Sequence, residues 1–143
     1  PLLQGRKTAR ELASAGIKVT IFADSAMDDA LSGEGQFKKV NRVLLGADAL
    51  LKKGIINKVG SGIVAMVSSQ EKIPFYIVAD SWKFSNKKVP IEQRNLNEVW
   101  DKAPRNIKIR NPAFEFVDKK YISGIVTELG LMKYDDFIRK KSH

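Results

Sequence analysis

Short apolar runs alternate with segments of helical spacing along the first half of the chain. The runs at 17–23, 41–45 and 74–79 are rich in Val, Ile, Leu and Phe, and each stops at a glycine or an aspartate, which is typical of buried strands. Residues 5–15 and 61–72 repeat apolar side chains at the spacing of one helix face. Strands that alternate with helices predict an α/β fold, here a Rossmann-like three-layer sandwich with a mostly parallel sheet.

The second half of the chain has a less regular pattern. Residues 82–112 are polar and proline-containing, so we expect them to cross the surface with one helical piece near 92–101 and a further strand at 107–110. Asp118 is expected to cap a final helix, because apolar residues follow it at helical spacing as far as Gly130. Earlier in the chain, Ser25 is expected to cap a short helix in the same way.

Length and composition are those of one globular domain. The chain has 143 residues, of which 43% are hydrophobic and 29% charged, and its apolar runs are far shorter than a membrane helix needs. The absence of cysteine excludes disulfides and thiolate chemistry, and no leader peptide is recognisable, so we expect a cytoplasmic protein. A helix-like segment opens the chain with no strand before it. We therefore expect residues 1–143 to be a single Rossmann-like domain, the C-terminal part of a longer chain whose N-terminal helical domain is missing.

The net charge of +9 does not by itself indicate nucleic-acid binding. The basic residues are interleaved with acids, and no aromatic residues alternate with them as in a base-stacking platform. A solvated basic surface is the favoured interpretation. Acidic ligands, partner proteins and a nucleic acid remain alternatives.

Three aspartates follow predicted strands, and this position is where parallel sheets bind ligands. Asp24, Asp48 and Asp80 should point to the same edge. Lys83 should reach it too, as should Asn57 and Lys58 after a short turn, while the helix that begins near Ser61 offers its N-terminus to an anion. Each aspartate could equally be a turn former or a helix cap. The group could also hold Mg²⁺, although nearby lysines disfavour a cation, so we expect neither a metal nor a cofactor. No Walker-type or dinucleotide-binding glycine motif is present.

Four stretches, in order, resemble one known superfamily: PLLQGRKTARELASAGI, VNRVLLGADALLKKGIINKVGSG, PFYIVADSWKF and RNPAFEFVDKKYISGIVTELG. They are similar to the C-terminal domain shared by the alpha, beta and delta regulatory subunits of translation initiation factor 2B, their archaeal relatives and two aldose–ketose isomerases. Those isomerases act on methylthioribose-1-phosphate and ribose-1,5-bisphosphate. The resemblance is weakest at 85–106 and after residue 131. The compact motifs, with the aspartate of GAD kept, are most similar to those of the archaeal members.

The resemblance implies a role for five residues. Asp48, in the GAD motif, would be the general acid of the isomerases. The substrate would be contacted by Gln4, Asn57, Lys58 and Lys83. In this interpretation the lysines hold phosphate while Asp48 exchanges a proton with a sugar oxygen. An acid that is to stay protonated at neutral pH needs surroundings that raise its pKa.

One departure from the family pattern separates two functional interpretations. The catalytic cysteine of the isomerases lies upstream of the first motif, and this chain has no cysteine. We therefore expect the chain alone to be inactive and favour the C-terminal domain of an initiation factor 2B-like regulatory subunit, in translation initiation. The alternative is the C-terminal half of a sugar-phosphate isomerase. The resemblance implies at least a dimer or assembly with related subunits, possible contact with initiation factor 2, and a sugar phosphate or nucleotide ligand.

Overall fold

The computed structural model of the chain describes residues 3–33, 38–87 and 89–141. The helices in these ranges are α1 (Gln4–Ser14), α2 (Met27–Ser32), α3 (Ser61–Gln70) and α4 (Tyr134–Lys141). The strands are β1 (Val43–Leu45), β2 (Ala49–Leu51), β3 (Gly54–Lys58), β4 (Phe75–Val78), β5 (Phe114–Asp118), β6 (Gly124–Thr127) and β7 (Gly130–Met132). None of the helices in the described ranges has both the length and the apolar character needed to cross a membrane.

The main sheet has four strands in the order β1-β4-β6-β7. The first three are parallel, with Val43 opposite Phe75 and Ile77 opposite Ile125, whereas β7 runs antiparallel to β6. This arrangement confirms the α/β fold with a mostly parallel sheet. The carboxyl ends of β1, β4 and β6 therefore lie along one edge, as the strand pattern predicts for β1 and β4.

A second, antiparallel sheet, in the order β2-β3-β5, was not predicted from the sequence. Strands β2 and β3 form a hairpin whose two-residue turn is Lys52 and Lys53, and β5 pairs with β3 over five residue pairs. The stretch that follows Asp48 is therefore a strand hairpin. This sheet begins directly after Asp48 in the chain, and its strand β3 fixes the Asp48 backbone through Ile56 O.

The core joins the two sheets to three of the helices. Its buried members include Leu31 of α2, Ala65 of α3 and Phe137 of α4, which share one cluster with Phe75 and Ile125 of the main sheet. Full burial of a side chain of the size of Ile or Phe contributes about 1.5–3 kcal/mol, so this cluster is the main source of the sheet's stability. Alternate residues on the other face of the sheet stay exposed, namely Leu44, Val78 and Leu131.

The structure corrects the predicted strand at 17–23 and the predicted helix after Asp118. Residues 17–23 form no strand, and Ile17 and Ile21 are 53% and 58% exposed, because no other strand lies beside them in the part of the chain that is described. Asp118 does cap a turn, by accepting a hydrogen bond from the Lys120 backbone N–H, but that turn is a single 3₁₀ turn. The apolar residues after it belong to β6 and β7, because pairing with β4 in the buried sheet outweighs their helical spacing.

Three smaller predictions are also wrong. The segment near 92–101 contains only a 3₁₀ turn (Leu96–Glu98), and residues 107–110 form no strand. The short helix α2 has Ala26, not Ser25, at its N-cap position, and no side chain caps it. The predictions of α1, α3, β1 and β4 are confirmed, with boundaries that differ by a few residues.

Candidate functional site

Asp48 lies just beyond the carboxyl end of β1, where the chain turns into β2. Its backbone N–H donates to Ile56 O at 2.9 Å, which joins it to β3. The side chain is exposed, and its carboxylate makes no hydrogen bond or ion pair with any described residue. A carboxylate held by its backbone but unpaired at its oxygens is available to a ligand.

Asn57 lies on β3 next to Ile56, the residue whose carbonyl accepts the Asp48 N–H. Ala49, which follows Asp48, is opposite Ile56 in the hairpin. The Asn57 side chain donates from Nδ2 to Ser61 Oγ at 2.8 Å, and Ser61 Oγ donates in turn to Lys58 O at 2.7 Å. The amide of Asn57 is therefore held in a fixed orientation, with its carbonyl oxygen unpaired within the described residues.

Lys83 completes this group at the end of the 3₁₀ turn Ser81–Lys83, which follows β4. Its Nζ donates to Ala47 O at 2.8 Å, so the ammonium group lies beside the peptide that precedes Asp48. An ammonium group has three donors, and the two not used here remain for a ligand. The prediction that Lys83 and Asp48 lie at a common edge agrees with this geometry.

Glu128 holds the turn that carries Lys83, and sequence analysis did not identify it. It follows β6, and its Oε2 accepts a hydrogen bond from the Ser81 backbone N–H at 2.9 Å. Hydrogen bonds from the Ser81 side chain and backbone lower the pKa of Glu128, with a smaller contribution from the charge of Lys141. Had residues 124–127 been recognised as a strand, Glu128 would have been a strand-end acid like Asp48 and Asp80.

The N-terminus of α3 is not free for an anion, contrary to the expectation from the sequence. Oε1 of Glu115, on β5, accepts hydrogen bonds from the backbone N–H groups of Gly60 at 2.6 Å and Gly62 at 2.8 Å. A Cβ added at Gly62 would lie 3.1 Å from Glu115 Oε2, so glycine leaves room for the carboxylate. The protein supplies its own anion at this helix end.

Lys58 leaves β3 on the opposite face from Asn57, because successive strand residues alternate. Its Nζ lies 5.9 Å from the centre of the Phe114 ring. Hydrogen bonds from Arg94 lower the pKa of Glu98 to about 2, and the charge of Lys58 contributes in small part. Lys58 is thus directed toward the 94–98 segment, and no contact within the described residues joins it to Asp48, which differs from the common edge expected from the sequence.

Gln4, Asp24 and Asp80 are exposed. Gln4 opens α1, a helix with no buried residue, and its side chain makes no hydrogen bond within the described ranges. Asp24 begins a 3₁₀ turn, and Asp80 precedes Ser81–Lys83, whose last N–H donates to Asp80 O at 3.1 Å. In the described part of the chain, no three residues of the His, Cys, Asp and Glu types form a group that could hold a metal ion.

The group at the edge therefore consists of Asp48, Asn57 and Lys83. A free carboxylate can exchange a proton with a hydroxyl or carbonyl oxygen, and an ammonium group beside it can stabilise negative charge or bind a phosphate. The oriented amide can fix the position of a polyol ligand. This set is suited to a small phosphorylated, oxygen-rich molecule.

Comparison with known proteins agrees with the resemblance seen in the motifs. The family model described as the initiation factor 2 subunit family matches residues 1–134. The chain is 39% identical over 155 residues to the methylthioribose-1-phosphate isomerase of Koribacter versatilis, a match that covers 98% of this chain and 42% of that protein. It is 36% identical over 140 residues to the ribose 1,5-bisphosphate isomerase of Methanocaldococcus jannaschii, which covers 92% of this chain and 44% of that protein.

Among solved structures, the chain is similar to the translation initiation factor eIF-2B, subunit delta, from A. fulgidus. The TM-score is 0.81 at 30% sequence identity, and the match covers 93% of this chain and 41% of that one. The chain thus spans less than half the length of the relatives it matches. By its sequence and by its fold, the chain belongs to the initiation factor 2 subunit family.

Proposed function

We propose that this chain provides the acid–base side of a sugar-phosphate aldose–ketose isomerase, with Asp48 as the group that exchanges a proton with the sugar oxygens. The observation that carries the proposal is the unpaired Asp48 carboxylate, anchored through its backbone to Ile56 O, beside the Lys83 ammonium group on Ala47 O. In this proposal the chain is the C-terminal part of a longer cytoplasmic protein, whose other half supplies the second catalytic group.

The reaction needs one hydrogen movement at carbon and one proton movement at oxygen. Because the C1 oxygen carries the phosphate, the ring opens at the bond between C1 and the ring oxygen: a hydrogen passes from C2 to C1, and a proton passes from the C2 hydroxyl to the former ring oxygen on C4, which leaves a carbonyl at C2. Asp48 serves the oxygens, since it is exposed and its carboxylate has no protein partner among the described residues. Lys83 stabilises negative charge near those oxygens, and Asn57 orients the hydroxyl groups. Transfer at carbon is left to the upstream half of the protein.

The relatives support a phosphorylated pentose as the substrate class. Two isomerases whose names specify methylthioribose-1-phosphate and ribose 1,5-bisphosphate share 39% and 36% identity with nearly the whole chain. Both substrates carry a phosphate on C1 of a ribose unit. The proposal therefore extends to this class and leaves the choice between the two to measurement.

The test uses the full-length protein and the Asp48→Asn variant, which keeps the shape of the side chain and removes its acid. Both are assayed by NMR for conversion of each of the two sugar phosphates to its ketose. We expect kcat to fall about 10²–10⁴-fold, the range that one acid–base group contributes, with a much smaller change in KM. Asp101→Asn, at another exposed aspartate, is the matched control and should leave kcat unchanged. A wild-type kcat in Asp48→Asn would refute the assignment.

A second function is supported by the likeness to the delta subunit of eIF-2B, with its TM-score of 0.81. In this alternative the full-length protein is a regulatory subunit that forms at least a dimer or assembles with related subunits, and the edge group binds a sugar phosphate or nucleotide without converting it. The test is co-purification with initiation factor 2 subunits at low and at high salt. Stable association, together with no conversion of either sugar phosphate, would favour this function over the isomerase.

A further inference from the structure

We propose that the chain has a second ligand site, for a nucleotide, in a pocket beside the β2–β3 turn; we call it the lysine pocket. It is a cavity of about 340 Å³ whose wall includes Lys52, Lys53, Lys87 and the ring of Phe116. Pockets that hold small ligands have volumes of about 300–1,000 Å³, so this one is large enough for a single nucleotide. The site is independent of the isomerase proposal.

The three lysines of the pocket have no anionic partner in the described part of the chain. Their side chains make neither an ion pair nor a hydrogen bond with any described residue. Other basic residues do have such partners: Lys39 contacts Glu71, Lys119 contacts Asp135, Arg94 contacts Glu98, and Arg139 contacts Asp136. Three like charges around one cavity repel each other, and a polyanionic ligand would relieve that repulsion.

The pocket also has an aromatic surface. Phe116 lies on β5, opposite Ile56, and its side chain is 44% exposed although it is large and apolar. Its ring packs over Gly54: a Cβ added there would lie 2.9 Å from the ring and 2.0 Å from Val117 O. Gly54 has a φ of +155°, so both its backbone conformation and its lack of a side chain allow the ring to lie there. An exposed, anchored ring is a surface on which a planar base can stack.

The turn that carries two of the lysines is held in place from the C-terminal helix. Tyr134 of α4 is buried, and its hydroxyl lies 2.9 Å from Leu51 O and 2.6 Å from Gly54 O, the carbonyls on either side of the turn. Burial raises the pKa of Tyr134 well above its usual range, so the hydroxyl remains a donor. Lys52 and Lys53 therefore project from a fixed backbone, and little backbone ordering is needed when a ligand binds.

The other side of the pocket is an irregular segment, residues 85–87, with polar groups. Ser85 donates its backbone N–H to Leu50 O at 2.9 Å, which holds the 85–87 segment alongside β2, and the Lys87 N–H donates to Ser85 Oγ at 3.1 Å. Asp118 is the acid in register with Gly54, and its Oδ1 accepts from the Lys120 N–H. It does not line the cavity. The wall thus combines three lysines and two polar residues with apolar surface that includes Leu51 and Phe116, which suits a ligand with phosphates at one end and a base at the other.

The lysine pocket and the Asp48 group lie at opposite ends of β2. Asp48 precedes the strand and Lys52 follows it, so four residue steps, or about 13 Å of extended chain, separate them. Both sites are joined to the β2–β3 hairpin, the Asp48 group through Ile56 O of β3 and the lysine pocket through the turn. A ligand in one can therefore bias the position of the other, but neither needs the other in order to bind.

The test is isothermal titration calorimetry of the full-length protein with four probes: ADP, AMP, pyrophosphate and ribose 5-phosphate. We expect ADP to bind most tightly, because it combines a base with two phosphates, and its affinity to fall with added salt. Lys53→Gln should raise the Kd for ADP about fivefold, since one partly exposed charge pair is lost. Phe116→Leu should raise the Kd for ADP about tenfold and leave that for pyrophosphate within about twofold, because only the base stacks.

The controls separate this site from general charge and from the Asp48 group. Lys102→Gln removes an exposed lysine elsewhere on the surface and should leave the Kd for ADP unchanged. Asp48→Asn should likewise leave it unchanged, so loss of isomerase activity and loss of ADP binding report on different sites. Equal affinity for ADP and pyrophosphate would overturn the stacking role of Phe116. No binding of ADP, or an equal effect of Lys53→Gln and Lys102→Gln, would overturn the site itself.

Discussion

Glu115 is the residue whose replacement tests the observed packing most directly. Its carboxylate bridges β5 to α3 through the backbone N–H groups of Gly60 and Gly62, which are 55 and 53 residues away in sequence. We predict that Glu115→Ala lowers the free energy of unfolding by about 2–3 kcal/mol. An N-cap side chain contributes about 0.5–2 kcal/mol, and a negative charge at a helix N-terminus adds about 0.3–1 kcal/mol.

The predicted loss for Glu115→Ala is smaller than the sum of its two hydrogen bonds, because water can replace the carboxylate. Hydrogen bonds to a charged group contribute about 1.5–3 kcal/mol each, and two of them would give more than the predicted loss. Both N–H groups are only partly buried, however, so water replaces the carboxylate in the variant. Glu115→Gln keeps one acceptor oxygen and loses the charge, so we expect about 1 kcal/mol for that change.

The measurement is equilibrium urea unfolding followed by circular dichroism, supported by the melting temperature. A loss of 2–3 kcal/mol corresponds to a decrease in Tm of about 6–12 °C for a chain of this size. Glu92→Ala is the matched control, because the Glu92 carboxylate is exposed and makes no hydrogen bond with a described residue. If Glu115→Ala were as stable as Glu92→Ala, the bridge from β5 to α3 would contribute nothing and the reasoning would fail.

Stabilisation of Glu115→Ala by sulfate tests whether the loss arises at the N-terminus of α3. Without Glu115, the N–H groups of Gly60 and Gly62 point at solvent from a helix N-terminus, an arrangement that binds phosphate and sulfate. Added sulfate should therefore stabilise Glu115→Ala more than the wild type, by an amount that follows mass action. The same gain in both proteins would show that sulfate acts on the whole surface and not at this helix end.

Two other predictions concern single polar side chains. Tyr134→Phe should lower the free energy of unfolding in urea by about 1–2 kcal/mol, because it leaves Leu51 O and Gly54 O without their hydroxyl donor. Tyr76→Phe is the control and should have little effect, because the Tyr76 hydroxyl makes no hydrogen bond with a described residue. Equal losses in the two variants would contradict the role of the Tyr134 bond. Glu98 has a pKa lowered to about 2 from an ordinary value of 4.5, so its contribution to stability is full above pH 5 and is lost as the pH falls toward 2. The stability difference between the wild type and Glu98→Gln should shrink over this range, and an NMR titration of Glu98 with a midpoint near 4.5 would contradict the pairing with Arg94.

Sequence alone determined the elements whose signals are local. Helices α1 and α3 and strands β1 and β4 follow from the spacing of apolar residues between glycines, a proline and aspartates, and these signals act over one or two turns of chain. Because β1 and β4 are parallel neighbours, the placement of Asp48 and Lys83 at one edge also followed from the sequence. The family motifs at the same positions agree with that placement.

Only the tertiary structure decided what the remaining residues do. The segment after Asp118 has the spacing of a helix, yet pairing with β4 makes it strand, whereas residues 17–23 have the composition of a strand and no neighbour among the described strands. Asn57 and Lys58 are adjacent in sequence, but their side chains lie on opposite faces of β3. Glu115 meets α3, Tyr134 meets the β2–β3 turn and Glu128 meets Ser81 across 47 to 83 residues of chain. Local spacing carries no information about such pairs, because their energy arises only when the folded backbone brings the donor and the acceptor within about 3 Å.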